Sequence, residues 1–228
     1  MPTPDAPPVL LLHGFAASAD RTWLDNGWID LLGDLGREVL ALDLLGHGDA
    51  DKPHEPEAYA DMEGELLSRF PPGRVAAVGF SLGARTLLRL AAAHPERFER
   101  LVVSGVGANL FSTDPDRGRD IAEAIEGRGD PTNVEARHFS ELADAPGSDR
   151  AALVACMRRS SPPMTPEELA TVTMPVLVVL GDRDFAGPAD PLLSALPDAR
   201  LTTLRNVDHF ATPKAMGFLD AALGFLGP

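Results

Sequence analysis

The chain has 228 residues, of which 44% are hydrophobic, and its 34 acidic residues outnumber its 20 basic ones to give a formal net charge of −14 at pH 7. The length and the apolar content suit one compact domain, whereas the excess of acidic groups disfavours nucleic acid and anionic membranes as partners. We therefore expect a small molecule as the binding partner, with no nucleic acid, no membrane and an undetermined oligomeric state.

The cellular compartment is indicated by the cysteine content and by the N-terminal residues. The single cysteine, Cys156, cannot form a disulfide within the chain, as is typical of proteins in a reducing cytoplasm. No basic region precedes the first apolar run, so that run indicates a strand rather than a signal peptide. No apolar run reaches the length of a membrane span. We expect a cytoplasmic protein.

Six short apolar runs alternate with helical patterns along much of the chain. Strands are expected in residues 9–12, 38–42, 75–78, 100–104, 175–180 and 199–204. Strands that alternate with helices are typical of a parallel sheet with helices on both faces. The sequence therefore predicts an α/β fold with a mostly parallel, doubly wound sheet of about six strands.

Residues 110–170 interrupt this alternation and carry many charges. Capping residues indicate helix starts at Asn133, Ser148 and Thr165. We expect a small helical lid here, inserted into a core formed by residues 1–109 and 171–228. The apolar residues of the expected lid either face the ligand pocket or pack the lid onto the core: Ile121, Ile125, Phe139, Leu142, Leu153, Met157 and Met164. A lid of this length predicts a modest, apolar site.

The pentapeptide Gly-Phe-Ser-Leu-Gly at residues 79–83 stands between an expected strand and an expected helix. A serine on such a strained turn is pushed out of the sheet, and glycines flank it because side chains there collide with neighbouring backbone. The sequence therefore predicts Ser81 as a nucleophile. The N–H of Leu82 is directed to the place where an oxyanion forms.

Partners for this serine follow the last two expected strands. Asp182 and Asp184 come after the fifth strand, and Asp208 and His209 come after the sixth. An unperturbed imidazole titrates near neutrality and can take the proton of a serine hydroxyl, which makes His209 the candidate base. The order along the chain is serine, acid, histidine, which differs from the orders of the chymotrypsin and subtilisin types.

Five motifs in order resemble the α/β-hydrolase superfamily over almost the whole chain except residues 110–170. They are His-Gly-Phe at 13–15, Asp-Leu-Leu-Gly-His-Gly at 43–48, the serine pentapeptide, Gly-Asp-Arg-Asp at 181–184 and Asp-His-Phe at 208–210. Only eight residues precede the first strand, too few for the hairpin that usually opens the sheet in this superfamily. The resemblance implies a sheet that lacks this hairpin, with the catalytic loops unaffected.

The resemblance also implies roles for further residues. It favours Asp184 as the acid because of its Gly-x-x-Asp spacing, with Asp182 and Asp208 as substitutes, and it makes the N–H of Phe15 the second oxyanion donor beside that of Leu82. Candidate substrate-binding residues are Phe80, Arg85, Phe139, Met157 and Phe210.

We thus expect a cofactor-independent carboxylesterase with the triad Ser81, His209 and Asp184, acting on a small-molecule ester. No histidine or cysteine spacing of a metal site is present, so no metal is expected. Two alternatives stay open. Arg85 lies four residues after the serine and resembles the Ser-x-Gly-x-Arg pattern of the menaquinone-pathway synthase, which indicates a lyase. The same fold also serves as a non-catalytic ligand receptor.

Overall fold

The structure, a computed structural model, describes residues 6–227 and contains one six-stranded sheet. Its strands are β1 Val9–Leu12, β2 Val39–Leu42, β3 Val75–Phe80, β4 Phe98–Ser104, β5 Val176–Gly181 and β6 Ala199–Leu204. Neighbouring strands are parallel throughout, in the order β2-β1-β3-β4-β5-β6. The predicted α/β class and sheet are confirmed. The first five residues of the expected core segment 1–109, and residue 228, lie outside the described residues.

Helices cover both faces of this sheet. They are α1 Trp28–Asp34, α2 Met62–Ser68, α3 Leu82–Ala93, α4 Pro115–Ile125, α5 Val134–Ala143, α6 Arg150–Arg158, α7 Pro166–Leu169, α8 Asp190–Ala195 and α9 Met216–Leu226. Helices α4 to α7 follow one another between β4 and β5, and we call them the helical segment. Helices α1, α2, α3 and α8 lie between successive strands, as connections between parallel strands require, and α9 follows β6.

The core lies in two layers because side chains alternate along each strand. In β1, Leu10 and Leu12 join the apolar cluster formed with α2, α3, α8 and the helical segment. Val9 and Leu11 join the opposite cluster, which α1 and α9 cover. All four side chains are fully buried. A strand that is apolar on both faces is typical of the interior of a parallel sheet.

The sheet order creates a switch point between β1 and β3. The chain runs from β1 to β2 on one side, and β3 then pairs with the other side of β1, with Leu12 opposite Gly79. The loops that follow β1 and β3 therefore meet at the carboxyl edge of the sheet. Ligands of open parallel sheets bind at this kind of crevice.

Helix starts in the helical segment agree with the sequence except in two places. Asn133 caps α5, and Thr165 forms a capping box at α7. The start predicted at Ser148 is wrong by one residue, because the carboxylate of Asp149 accepts the backbone N–H bond that caps α6. Helix α4 was not among the predicted starts, although Asp114 caps it and a proline occupies its first position.

Candidate active site

Ser81 lies on a sharp turn between β3 and α3. Its backbone angles, φ 52° and ψ −109°, fall in a region that residues other than glycine rarely adopt. A Cβ atom added at Gly79 would lie 2.7 Å from the backbone nitrogen of Ala84, and one added at Gly83 would lie 2.3 Å from the carbonyl oxygen of Leu12. Both distances are far below van der Waals contact. The two glycines of the pentapeptide are therefore required for α3 to approach β1 and β3 this closely.

Three side chains from separate loops form a continuous hydrogen-bonded chain. The Oγ of Ser81 lies 3.0 Å from Nε2 of His209, and Nδ1 of His209 lies 2.9 Å from Oδ1 of Asp184. A carboxylate only accepts, so Nδ1–H is the donor to Asp184 and Nε2 is left with its lone pair toward the serine hydroxyl. The imidazole is 3% exposed and the Asp184 side chain is fully buried, so both operate away from bulk water.

Two neighbouring aspartates are engaged elsewhere. Oδ1 of Asp182 accepts the backbone N–H of Asn206 at 2.7 Å, and Oδ1 of Asp208 accepts that of Ala211 at 2.9 Å. Both residues are exposed, and neither is in contact with the imidazole. Among the three aspartates considered from the sequence, the structure brings Asp184 to His209.

Two backbone N–H groups close to Ser81 have no acceptor in the described part of the chain. Within the described part of the chain, neither Phe15 nor Leu82 donates a hydrogen bond. The loop that carries Phe15 is tied to the serine turn because Gly83 donates to the carbonyl oxygen of His13 at 3.0 Å. Leu82 is the first residue of α3, where the helix dipole favours negative charge. Unsatisfied donors at a helix start are suited to bind an anionic oxygen.

Two buried histidines support the first two loops. His13 accepts the Leu44 N–H through Nε2 at 3.1 Å and donates through Nδ1 to the Gly14 carbonyl at 2.8 Å, which makes it neutral. Its 3.4 Å approach to Asp43 is therefore not an ion pair. Burial lowers the pKa of His13, and it lowers the pKa of His47 to about 3.

A cavity of about 540 Å³ opens above the serine. Its apolar wall consists of Phe15, Phe80, Phe139, Leu142 and Phe210. Its polar lining consists of Arg21, Thr22, Asp25, Asn26, His138 and Lys214. Ser81 and His209 reach its surface as well. The volume lies in the range of small-molecule sites, and the apolar surface adjoins Ser81.

Two of the candidate substrate-binding residues lie outside this cavity. The guanidinium of Arg85 turns away and donates to the carbonyl oxygen of Asn109 at 2.9 Å, and burial lowers its pKa to about 10. Met157, which lies on α6, is partly buried and packs against the apolar core. The prediction that these two line the pocket is wrong, whereas Phe80, Phe139 and Phe210 do line it. Sequence reasoning missed the polar lining, which comes from residues 21–26, from His138 of α5 and from a short turn, Thr212–Lys214.

Phe185 is a further residue that the sequence analysis missed. It follows Asp184 directly, and its ring stacks on the imidazole of His209 with centroids 4.2 Å apart and planes 30° apart. The guanidinium of Arg117, from α4, lies 4.6 Å from the centroid of the same ring. The signal available in the sequence was the position of Phe185 next to the acid.

Two further features, a metal-binding cluster and a membrane-spanning helix, are absent from residues 6–227. No group of three or more histidine, cysteine or acidic side chains in this range is arranged to hold a metal ion. Nor is any helix in the same range long and apolar enough to span a bilayer.

Comparison with known proteins places these features in a family. Residues 7–128 match the sequence profile of the alpha/beta hydrolase fold. Pimeloyl-[acyl-carrier protein] methyl ester esterase of Nitrosomonas europaea is 28% identical over 91% of this chain and 90% of that protein. The sn-1-specific diacylglycerol lipase ABHD11 of Mus musculus is 27% identical over 96% of this chain and 81% of that protein. The enol-lactonase of Burkholderia xenovorans shares the fold with a TM-score of 0.76 at 21% identity, over 97% and 92% of the two chains.

Proposed function

This chain belongs to the α/β-hydrolase family, and from that premise we propose that it is a serine hydrolase that cleaves carboxylic esters through an acyl-enzyme. The observation that carries the proposal is the hydrogen-bonded chain from Asp184 through His209 to Ser81. The esterase and the lipase among its relatives support the same class of reaction.

In the proposed acylation step, Oγ of Ser81 attacks the ester carbonyl carbon while Nε2 of His209 takes the hydroxyl proton. Asp184 stabilises the imidazolium that forms, and it holds the ring so that Nε2 stays directed at the serine. The negative charge that develops on the carbonyl oxygen is bound by the N–H groups of Phe15 and Leu82. Each such donor contributes on the order of 3 kcal/mol of transition-state stabilisation.

The same groups then release both products. Collapse of the tetrahedral intermediate breaks the bond to the alcohol oxygen, which receives the proton from Nε2 of His209. In the second half of the reaction, water attacks the acyl group on Ser81, and His209 accepts a proton from that water. The bond between the acyl carbon and Oγ of Ser81 then breaks, Oγ receives the proton from His209, and the carboxylic acid product leaves.

The cavity supports a substrate of moderate size with apolar groups next to the ester. Aromatic side chains from the core and from α5 surround the reacting serine, and the polar lining lies toward residues 21–26 and Lys214. We propose that the helical segment acts as the lid expected for residues 110–170, since α5 supplies Phe139 and Leu142 to the cavity wall. A small-molecule ester is thus the partner that we propose.

The function is tested by labelling and by burst kinetics. A fluorophosphonate probe is expected to label the protein at Ser81, and a short p-nitrophenyl ester is expected to give a burst of p-nitrophenol before steady turnover. Ser81→Ala is expected to abolish the label and to lower kcat by about 10⁴-fold with an unchanged melting curve. Ser68→Ala, at the exposed end of α2, is the control for loss of a hydroxyl.

The two alternatives give different outcomes in this experiment. A lyase of the synthase type turns over its own substrate far faster than any ester, and a ligand receptor shows neither label nor burst. If Ser81→Ala keeps a tenth or more of the wild-type esterase rate, the serine is not the nucleophile and the proposal fails.

A further inference from the structure

The ring of Phe185 stacks on the imidazole of His209 but does not line the cavity. Phe185 is 41% exposed, and it is absent from the cavity lining. Its centroid nevertheless lies 4.2 Å from that of His209. Two other aromatic rings lie close to the imidazole: Phe80 at 4.9 Å and Phe210 at 5.6 Å, and both of these line the cavity. A contact with substrate therefore explains Phe80 and Phe210 but not Phe185.

Phe185 also receives a contact from the helical segment. The guanidinium of Arg117 lies 4.6 Å from its centroid, within the range of cation–π attraction. Arg117 is held by Glu135 of α5, whose Oε1 accepts from Nε at 3.0 Å and from Nη2 at 2.6 Å. A row of contacts thus runs from α5 through α4 and Phe185 to His209.

We propose that Phe185 is a positioning residue for the imidazole of His209, and that Arg117 holds the Phe185 ring in place. This inference rests on the proposed hydrolase function. The stacked ring restricts rotation of the imidazole, so that Nε2 stays toward Ser81 while Nδ1 stays toward Asp184. An aromatic face also attracts a cation, so the contact strengthens as His209 becomes charged during the reaction. Because that gain arises in the transition state, kcat rather than KM depends on it.

The first test compares two substitutions of Phe185. Phe185→Leu keeps apolar bulk but removes the ring, and it is expected to lower kcat for a p-nitrophenyl ester by about tenfold with KM within about twofold. Phe185→Tyr keeps the ring and is expected to restore kcat to within about twofold of wild type. If Phe185→Leu keeps the wild-type kcat, or if Phe185→Tyr is as slow as Phe185→Leu, the proposal is overturned.

Double mutants separate positioning from general stability. Because Phe185 acts through His209, Phe185→Leu is expected to cause no further loss in a His209→Ala background. A loss that adds in full to that of His209→Ala contradicts the proposal.

The role of Arg117 is tested in the same way. Arg117→Met is expected to lower kcat by about threefold in the wild-type background and to cause no further loss in the Phe185→Leu background. Arg119→Met is the control on the same helix, since Arg119 pairs with Asp116 and Asp120 at the surface.

A spectroscopic readout keeps this inference separable from the hydrolase function. The Nδ1–H proton shared by His209 and Asp184 gives a downfield proton NMR signal, which Asp184→Asn identifies by its loss. That signal is expected to broaden in Phe185→Leu and to stay sharp in Phe185→Tyr. If the wild type turns over no ester, the hydrolase proposal fails, while this signal still tests the role of Phe185. An unchanged signal in Phe185→Leu overturns that role.

Discussion

Three aspartates follow β5 and β6, and their surroundings assign them different tasks. Asp184 is buried against the imidazole, while Asp182 and Asp208 each accept a backbone N–H of the loop that carries His209. The loop contacts of the latter two hold the shape of the turn. Among these three carboxylates, the structure places Asp184 within hydrogen-bond distance of the imidazole.

Replacing each aspartate by asparagine tests this assignment. Asp184→Asn is expected to lower kcat by about 10⁴-fold, because an amide in place of the carboxylate favours the wrong imidazole tautomer and removes the charge that stabilises the imidazolium. Asp182→Asn and Asp208→Asn are expected to keep kcat within about threefold of wild type. All three variants are measured with one p-nitrophenyl ester after their melting curves are compared. A larger loss of kcat in Asp182→Asn or Asp208→Asn than in Asp184→Asn would show that Asp184 is not the acid.

His47 gives the protein a predictable sensitivity to acid. Burial lowers its pKa from 6.5 to about 3, and Nδ1 donates to the Leu45 carbonyl. Between these two values the unfolded chain binds a proton that the folded chain does not, so the free energy of unfolding falls as the pH falls through this window. By pH 4.5 the loss from this residue is about 3 kcal/mol.

The variant His47→Gln removes this titration and keeps a side-chain donor. It is expected to lose less stability than the wild type between pH 7 and pH 4.5, as measured by urea unfolding at each pH. His94→Gln, at the exposed end of α3, is expected to leave the pH dependence as it is in the wild type. Equal losses in His47→Gln and wild type would show that other groups cause the acid sensitivity.

The sequence predicted the side chains that meet in one hydrogen-bonded chain better than the side chains that surround them. Ser81 and His209 stand beside glycine, strand and loop signals that only a few folds explain. Arg85 is predicted from its position four residues after Ser81 and Met157 from its apolar type, but the direction of a side chain depends on partners elsewhere. The carbonyl of Asn109, 24 residues away, takes the Arg85 guanidinium, which no local pattern indicates.

At the level of elements, the packing of α3 on β1 depends on a missing side chain. A Cβ at Gly83 meets the carbonyl oxygens of Leu12 and His13 at 2.3 and 2.7 Å, so α3 cannot keep its position with any larger residue there. Gly224 offers a contrast. It also lies in a helix, α9, and a Cβ added there has no neighbour within 4 Å.

Gly83→Ala is expected to destabilise the fold by about 1–3 kcal/mol or more through overpacking, and to lower activity because Ser81 moves with α3. Gly224→Ala is expected to stabilise the fold by about 0.5–1 kcal/mol, since alanine favours the helix and fills open space. Thermal melting is expected to shift in opposite directions for the two variants. A Gly83→Ala variant that melts with the wild type would contradict the close approach of α3.

The strands could be predicted from the sequence because strands inside a parallel sheet are buried on both faces. Each such strand therefore stands out as an uninterrupted run of apolar residues. Helix starts depend on single capping groups, so adjacent candidates such as Ser148 and Asp149 are easily exchanged. Helix α4 carries arginine, aspartate and glutamate over most of its length, and its apolar face is narrow. The sequence therefore predicted neither this helix start nor its cap, Asp114.

Over the whole molecule, the net charge of −14 repels anions, while the polar side of the cavity carries two cations, Arg21 and Lys214, and one carboxylate, Asp25. Arg21 donates to the Ala16 carbonyl and forms no ion pair with any described residue. Lys214 is exposed, and its ammonium has no partner among residues 6–227. An ester that carries a free carboxylate is thus attracted locally against the field of the whole chain.

Lys214→Glu is expected to lower kcat/KM about tenfold for a monomethyl dicarboxylate, and much less for the corresponding dimethyl ester. Arg205→Glu changes the net charge equally at an exposed position away from the cavity, and it is expected to have a small effect on both esters. Added salt weakens the difference between the two substrates. If Arg205→Glu matches Lys214→Glu, net charge rather than the cavity decides the preference.

The architecture of the site followed from the order of the motifs, since carboxyl ends of parallel strands meet at one edge. The cavity lining did not follow in the same way. Phe139, Phe210 and Lys214 come together only when the helical segment and the loop after β6 reach the same edge. Contacts between segments so distant in sequence are decided by the packing of the entire chain.

Ser81 and His209 are 128 residues apart in sequence, yet their side chains lie within one hydrogen bond of each other. A chain that has folded only through β4 holds the strained serine but has no base to activate it. Closing so long a loop is costly in entropy and slow relative to local helix formation. On the proposed function, the return of ester hydrolysis after denaturation is therefore expected only once β5 and β6 have joined the sheet.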